Sequence, residues 1–242
     1  MSAPSNADLV GRDRANPSPA ERVGAVIAAG GRSARMGGID KLFAPLAGRP
    51  LLYHTLSAFE TCDAVRTVVL VVSPENLAPA QALVGEGGFS KVVGVCGGGD
   101  TRQASVRAGL EALPASDWVV VHDGARPLVT PALIQAGLEA ARPTGAAVCA
   151  LPAAETVKEA DPSARVLRTL DRSGLWLVQT PQVFRCDILR QAHQAAPDAD
   201  ATDDAALVER LGVEVRLYMG SPRNLKVTTH EDLAMAEALL RT

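Results

Sequence analysis

The chain has 242 residues, of which 47% are hydrophobic and 21% are charged, and its formal net charge is −3. These values fit a globular protein with its own core and exclude a collagen-like, coiled-coil or largely disordered chain. Aromatic residues make up only 3% and the net charge is negative, so neither base stacking nor charge attraction favours nucleic acid as a partner. No stretch approaches the roughly 20 apolar residues that a membrane helix needs, which argues against a membrane partner.

The first 22 residues, MSAPSNADLVGRDRANPSPAER, combine prolines with charges of both signs and have no apolar centre. We therefore predict a disordered tail at 1–22, without the features of a secretory or transit peptide. The four cysteines lie far apart with no CxxC pair, and the four histidines show no metal-ligand spacing. This pattern is typical of reduced cysteines in a cytoplasmic protein.

From Val23 onward, short apolar runs alternate with longer segments of helical spacing. The runs VGAVIAA, TVVLVVS, KVVGVC, DWVVVHD and AAVCALP lack polar alternation, which indicates strands covered on both faces. The segments RPLLYHTLSAFE, NLAPAQALV, TRQASVRAGLEAL and TPALIQAGLEAA place apolar residues three and four apart, as helices packed on a sheet do. The alternation predicts an α/β fold with a mostly parallel sheet flanked by helices.

After Pro152 the pattern becomes polar and rich in Val and Thr, with Pro and Gly turn signals that suit hairpins. We predict a β arm at about 153–180 that projects from the sheet. Helical spacing returns in CDILRQAHQAA and DDAALVERL, followed by a short strand in VEVRLYMG and a last helix in HEDLAMAEALL. No repeat or composition shift marks a second domain, so residues 23–242 are predicted to form one.

The first candidate site follows the first predicted strand. Ligands of open parallel sheets bind at the carboxyl ends of strands, and here AAGG leaves a strand with almost no side-chain bulk before Arg32, Arg35 and Lys41 add positive charge. The segment matches neither GxGxxG nor the P-loop pattern. Alone it is compatible with a phosphate-binding loop or with an ordinary glycine turn.

Two further clusters follow predicted strands. GGGDTRQAS opens a helix, with Asp100 or Thr101 as its N-cap, and its three glycines suit close approach of a ligand or an exposed turn. VHDGARP places Asp123 at a strand end, where a carboxylate could hold Mg²⁺ together with substrate phosphates or form an Asx-turn. His122 is more typical of a packing residue than of a ligand. All three clusters fall at strand ends, which favours one shared site.

Taken in order, these motifs resemble a known family. AAGGRSARMGGIDKLFAPLAGRPLL is similar to the signature of the sugar and polyol phosphate nucleotidylyltransferases, AAGxxxRM followed by Lys and then GxPLL. The later motifs GGDTRQASVRAGL, VHDGARP, LDRSGLW, TPQVF, ATDDAALVE and NLKVTTHEDL resemble those of members that transfer a cytidylyl group to methylerythritol phosphate. The resemblance spans about residues 23 to 241. It implies a Rossmann-like fold of the nucleotide-diphospho-sugar transferase type, CTP as co-substrate, Mg²⁺, and a homodimer formed through the β arm.

The resemblance also implies roles for individual residues. Those that would contact CTP are Ala28, Ala29, Gly30, Gly99, Asp100, Arg102, Ser105 and Gly124. Those that would act on the phosphates are Arg35, Lys41, Lys226 and Arg172. Those near the polyol phosphate would be Thr156, Arg172, Thr202 and Asp203, and Asp123 would bind Mg²⁺.

The sequence alone leaves three alternative functions open. A ribitol 5-phosphate cytidylyltransferase would share the CTP half of the signature and differ in the polyol pocket. A non-catalytic nucleotide-binding module would not require Asp123, Lys41 and Arg172 together. A dinucleotide-dependent oxidoreductase of similar architecture is disfavoured, because GxGxxG and a strand-end acid for a ribose are missing.

Overall fold

The computed structural model of the chain describes residues 21–30, 35–36, 39–197 and 201–241, with side chains for all of these except 35, 36 and 39. Residues 1–20 of the predicted tail lie outside this part. The strands are β1 Val23–Ala29, β2 Arg35–Met36, β3 Ile39–Asp40, β4 Pro45–Leu46, β5 Arg49–Pro50, β6 Thr67–Val72, β7 Val92–Gly97, β8 Trp118–Asp123, β9 Ala146–Pro152, β10 Lys158–Ala160, β11 Val166–Thr169, β12 Trp176–Arg185 and β13 Arg216–Met219. The helices are α1 Leu51–Glu60, α2 Leu77–Gly87, α3 Arg102–Ala112, α4 Pro131–Ala141, α5 Cys186–Ala195, α6 Asp204–Glu209 and α7 His230–Leu240.

Seven of the described strands form the central sheet, in the order β13-β9-β12-β8-β1-β6-β7. Neighbours β8, β1, β6 and β7 run parallel, as do β13 and β9, whereas β12 runs antiparallel to both of its neighbours. The predicted mostly parallel α/β architecture is therefore confirmed. None of the described helices is long and apolar enough to cross a membrane.

Alternate side chains of each central strand enter apolar layers on opposite faces of the sheet. On β1, Ile27 belongs to the layer that includes Leu52 of α1 and Ile134 of α4, and Val26 belongs to the layer that includes Val106 of α3. The strands read as continuous apolar runs because both faces are covered.

The parallel strands end together at one edge of the sheet. Ala28 of β1 pairs with Asp123 of β8, and Ala29 pairs with Val72 of β6, which in turn pairs with Gly97 of β7. Helix α3 then begins beside this edge, where the Thr101 side chain accepts a hydrogen bond from the Ala104 N–H. The hydrogen-bonded order of the strands thus brings the three predicted clusters together.

The arm contains an antiparallel hairpin of β10 and β11 whose residues are exposed. The prediction placed the whole of 153–180 in the arm. Strand β12 already begins at Trp176 within this range and continues into the central sheet as far as Arg185. Its first part pairs with β9, and after a register shift its second part lies between β9 and β8.

Candidate active site

A cleft of about 230 Å³ opens at the carboxyl edge of the sheet. Its lining combines residues from all three predicted clusters with one from the segment before α7. Eight of the predicted site residues line it: Ala28, Ala29, Gly30, Lys41, Arg102, Ser105, Asp123 and Lys226. The first three present backbone and small side chains, so a ligand can approach the chain closely, and the charged residues surround the same space.

Asp123 is the electrostatic centre of the cleft. Its carboxylate lies 2.9 Å from Lys226 Nζ, 3.3 Å from Arg102 Nε and 3.8 Å from Arg126 Nε. Burial alone would raise the pKa of Asp123, but Arg102, Lys226 and Arg126 outweigh it and hold that pKa well below its usual range. The group is therefore a carboxylate at neutral pH, and the site carries an excess of positive charge.

The backbone of Asp123 is held by a chain of three hydrogen bonds. The Asp123 N–H donates to Thr180 Oγ1 at 3.0 Å, and Thr180 Oγ1 lies 3.0 Å from Nδ1 of His122. Nε2 of His122 lies 3.2 Å from the Arg126 carbonyl oxygen. A carbonyl oxygen accepts, so Nε2 carries the proton and Nδ1 accepts from the hydroxyl. His122 is a buried, neutral group that orients its neighbours, in agreement with the packing role expected from the sequence.

The pKa of His122 predicts loss of stability in mild acid. Burial lowers this pKa from 6.5 to about 4, although Asp123 and the Arg126 carbonyl oppose the shift. Between these values the unfolded chain binds the proton that the folded chain does not, so stability is complete above pH 6.5 and falls as the pH drops towards 4. We expect a loss of about 3 kcal/mol in unfolding free energy across this window, measured by urea unfolding. In NMR titrations the His122 ring should stay neutral down to about pH 5, and protonation near pH 6.5 would contradict the account.

Lys41 is placed by a tight turn. Asp40 caps a short 3₁₀ turn at Lys41–Phe43, where its Oδ1 accepts from the Leu42 N–H at 2.9 Å. Its Oδ2 accepts from Asn76 Nδ2 at 2.7 Å, which ties the turn to the segment after β6. Burial and the nearby Lys226 lower the pKa of Lys41, against the attraction of Asp40 and Asp123. Two ammonium groups that repel each other across the cleft are suited to share a polyanion.

The glycines at the edge of the cleft are needed partly for packing. A Cβ on Gly98 would lie 2.5 Å from Ser105 Oγ, and one on Gly99 would lie 2.6 Å from the Ala104 Cβ. A Cβ on Gly30 would lie 3.1 Å from Ser105 Oγ. The sequence predicts approach of a ligand or an exposed turn at this glycine triplet. The structure shows that Gly98 and Gly99 also pack closely against the first turn of α3, which the sequence alone did not reveal.

A second cleft of about 460 Å³ adjoins the first and shares Arg102, Asp123 and Lys226 with it. The predicted residues Thr202 and Asp203 line it. Asp203 also caps α6 by accepting from the Ala206 N–H at 3.0 Å and accepts from Gln182 Nε2 at 2.7 Å. The cleft includes further polar residues to which the motifs assigned no role: Arg126, Gln179, Thr180, Gln182 and Glu209. Arg126, Thr180 and Gln182 stand inside VHDGARP and TPQVF. These motifs are therefore the sequence signal from which the three residues could have been found.

The remaining predicted residues lie elsewhere. Gly124 is buried between the lining residues Asp123 and Ala125 but is not itself part of the lining. A Cβ on Gly124 would lie 2.9 Å from the Cβ of Ala29. Gly99 and Asp100 are exposed beside the cleft and are not part of its lining. Thr156 and Arg172 are exposed in the arm and line neither cleft of their own chain. The side chain of Arg35 lies outside the described residues.

The donors available to a metal ion are few. Within the described part of the chain, no three His, Cys, Asp or Glu side chains lie close enough together to bind a metal by themselves. Mg²⁺ is commonly held by one or two carboxylates together with substrate phosphates. Asp123 fits that pattern, because it is ionised and faces a cleft whose cations suit a polyphosphate.

Comparison with known proteins identifies the family. A family model described as 2-C-methyl-D-erythritol 4-phosphate cytidylyltransferase matches residues 23–242. The chain belongs to this family. A member from Dehalococcoides mccartyi is 52% identical over 221 residues, which is 91% of this chain and 97% of the relative. A member from Geobacillus kaustophilus is 43% identical over 219 residues, which is 89% of this chain and 96% of the relative.

Solved structures of the family have the same fold. The 2-C-methyl-D-erythritol 4-phosphate cytidylyltransferase of Thermus thermophilus superposes with a TM-score of 0.75 at 38% identity, over 90% of this chain and 98% of that one. A 4-diphosphocytidyl-2C-methyl-D-erythritol synthase from Anaerococcus prevotii gives a TM-score of 0.78 at 26% identity, over 92% of this chain and 97% of that one. The resemblance seen in the sequence motifs is thus confirmed across nearly the whole chain.

Proposed function

We propose that this chain transfers the cytidylyl group of CTP to 2-C-methyl-D-erythritol 4-phosphate in isoprenoid biosynthesis. The products are 4-diphosphocytidyl-2-C-methyl-D-erythritol and pyrophosphate. The main support for the proposal is that Lys41, Lys226 and Asp123 line the same cleft in a chain of this family. The same membership argues against a non-catalytic module and against an oxidoreductase.

The reaction begins with attack of an oxygen of the substrate phosphate on the α-phosphorus of CTP. A new P–O bond forms, and the bond between the α-phosphorus and the bridging oxygen to the β-phosphate breaks, so that pyrophosphate leaves with the electron pair. The phosphate of the substrate is already ionised near neutral pH, because its second pKa is about 6. The reaction therefore needs no protein base, and catalysis consists of positioning and charge stabilisation.

Residues of the first cleft offset the negative charge that develops on the α-phosphate and the leaving pyrophosphate. Lys41 and Lys226 contact the phosphates, and Arg35 is assigned the same role from its place in the signature. The backbone of Ala28, Ala29 and Gly30 lies against the nucleotide, with Ser105 at the same wall of the cleft. Mg²⁺ would be held by Asp123 and would neutralise phosphate oxygens when bound.

The second cleft is assigned to the polyol phosphate, because it adjoins the first at Asp123 and is lined by polar residues. The test is pyrophosphate release with CTP, Mg²⁺ and each of two acceptors, 2-C-methyl-D-erythritol 4-phosphate and ribitol 5-phosphate. We expect turnover with the first acceptor and little with the second or with no acceptor. Preference for ribitol 5-phosphate would establish the alternative cytidylyltransferase, and no release with either would overturn the function.

We further propose a homodimer in which each arm completes the site of its partner. Thr156 and Arg172 are exposed and away from both clefts of their own chain, although their motif positions assign them to the polyol phosphate. The arm also exposes apolar side chains, with Val166, Leu167 and Leu177 each more than half accessible. Exchange of the arms would account for both features.

A cytoplasmic location is proposed because CTP is a metabolite of the cell interior.

Mixing two inactive variants tests the shared site. Arg172→Ala removes the contribution of the arm, and Lys41→Met removes that of the cleft. When the two are unfolded and refolded together, each mixed dimer has one intact site, so random pairing should restore roughly a quarter of the wild-type rate. Each variant refolded alone is the control. Mixtures that stay as inactive as the separate variants would contradict arm exchange.

A further inference from the structure

A buried relay leads from the active cleft into the helical layer behind it. Arg102, the first residue of α3, contacts two carboxylates that come from different parts of the chain. Its Nε lies 3.3 Å from Asp123 Oδ1 on β8, and its Nη1 lies 2.6 Å from Asp204 Oδ2 on α6. Arg102 lines both clefts, so the position of its guanidinium affects the space that both substrates would share.

Asp204 is in turn held by His193 of α5. The Asp204 side chain is 1% exposed, and its second oxygen, Oδ1, lies 3.0 Å from His193 Nε2. Burial would raise the pKa of Asp204, but Arg102 and His193 keep it below its usual value, so it is ionised. An ionised carboxylate only accepts hydrogen bonds, so Nε2 of His193 carries a proton and donates to Asp204 Oδ1. Each oxygen of Asp204 therefore has its own donor, and the carboxylate has a defined orientation.

Packing alone does not explain a histidine at position 193. The residue lies on the buried face of α5 with Leu189 and Ala192 and is 2% exposed. Its Nδ1 is buried without a hydrogen-bond partner among the described residues. An unpaired buried polar atom costs free energy that an apolar side chain would avoid. The compensating feature is the bond from Nε2 to Asp204.

We propose that His193 is a positioning residue of the reaction, acting through Asp204 to hold Arg102 beside Asp123. This inference rests on the proposed function. His193 lines neither cleft, so its effect is on the placement of Arg102. Without the donor, Asp204 is free to turn and draw Arg102 away from Asp123. Loss of an outer hydrogen bond behind a metal-ligating side chain lowers affinity or activity by roughly 10–100-fold, and we expect an effect of the same order for the bond behind Arg102.

Two substitutions at position 193 separate the donor from the packing. His193→Gln keeps an N–H donor close to the position of Nε2, whereas His193→Leu fills the space without one. We expect His193→Leu to lower kcat at least about tenfold and His193→Gln to stay within about threefold of wild type. If His193→Leu does not fold, His193→Asn replaces it, because its shorter amide does not reach Asp204. The matched control is His54→Leu, which removes a ring bonded to the Leu46 carbonyl at 2.8 Å, outside both clefts.

Wild-type turnover with CTP and 2-C-methyl-D-erythritol 4-phosphate is measured first, because its absence would overturn the proposed function and not this inference alone. Thermal unfolding of every variant then separates loss of stability from loss of kcat. In a background of Arg102→Lys, which already disturbs the relay, His193→Leu should cause little further loss of kcat. Equal kcat for His193→Leu and His193→Gln, or independent multiplication of the Arg102→Lys and His193→Leu effects, would overturn the role of His193.

Discussion

Asp123→Asn is expected to lower kcat by about 10³-fold. The amide keeps the shape of the side chain but removes the charge on which Lys226, Arg102 and Arg126 converge. It also removes the carboxylate that would hold Mg²⁺ with the phosphates. Steady-state kinetics at saturating CTP and acceptor measure the effect.

In Asp123→Asn, the affinity for CTP in the absence of Mg²⁺ should not fall as kcat does. Once the competing carboxylate charge is gone, the three cations are free to pair with the triphosphate, so calorimetry should show affinity at least equal to that of wild type. Asp187→Asn is the control, because Asp187 pairs with Arg185 at 2.7 Å on the exposed surface. A folded Asp123→Asn enzyme that keeps more than about a tenth of wild-type kcat would contradict the assigned role.

Lys41→Met is expected to lower kcat by roughly 10²–10³-fold, the usual result of removing one preorganised group that stabilises developing charge. Methionine matches the length of the lysine stem, so the loss reports the ammonium group. Lys91→Met is the control, since Lys91 Nζ donates to the Cys62 carbonyl at 2.7 Å away from the cleft. Comparable kcat values for the two variants would remove Lys41 from the mechanism.

The pH profile gives a second test of Lys41. Burial and Lys226 lower its pKa below 10.5, and the free enzyme loses this positive charge as the pH rises through that lowered value. We expect kcat/KM for CTP to fall on the alkaline side below pH 10.5, because this parameter reports ionisations of the free enzyme. In Lys41→Arg the limb should move to higher pH, since a guanidinium stays protonated. A limb unchanged in Lys41→Arg would assign the ionisation to another group.

The sequence predicts those strands of the sheet that are buried on both faces along most of their length. VGAVIAA and AAVCALP coincide with β1 and β9 because strands buried on both faces read as apolar runs bounded by turn residues. The start of β12 was missed. Leu177 and Val178 are exposed, so this part of the strand has no buried face to distinguish it from the arm, and its place depends on pairing with β9.

The site was predictable as far as its residues follow strand ends. Asp123, Lys41 and Ser105 come together because parallel strands end at one edge. The relay behind it was not predictable. His193 lies on an amphipathic helix, where a single histidine is indistinguishable from a packing residue, and its bond to Asp204 depends on how α5 and α6 pack. The packing role of Gly98 and Gly99 likewise depends on the approach of α3.

In the proposed reaction, the clefts hold CTP for direct attack by the phosphate of the acceptor. Isotope tracing tests this attack, with 2-C-methyl-D-erythritol 4-phosphate carrying ¹⁸O in its non-bridging phosphate oxygens and ³¹P NMR of the products. Direct attack places ¹⁸O in the bridge between the two phosphorus atoms of the cytidylyl product and none in the pyrophosphate. A product whose bridge lacks the label, or label appearing in the pyrophosphate, would contradict it.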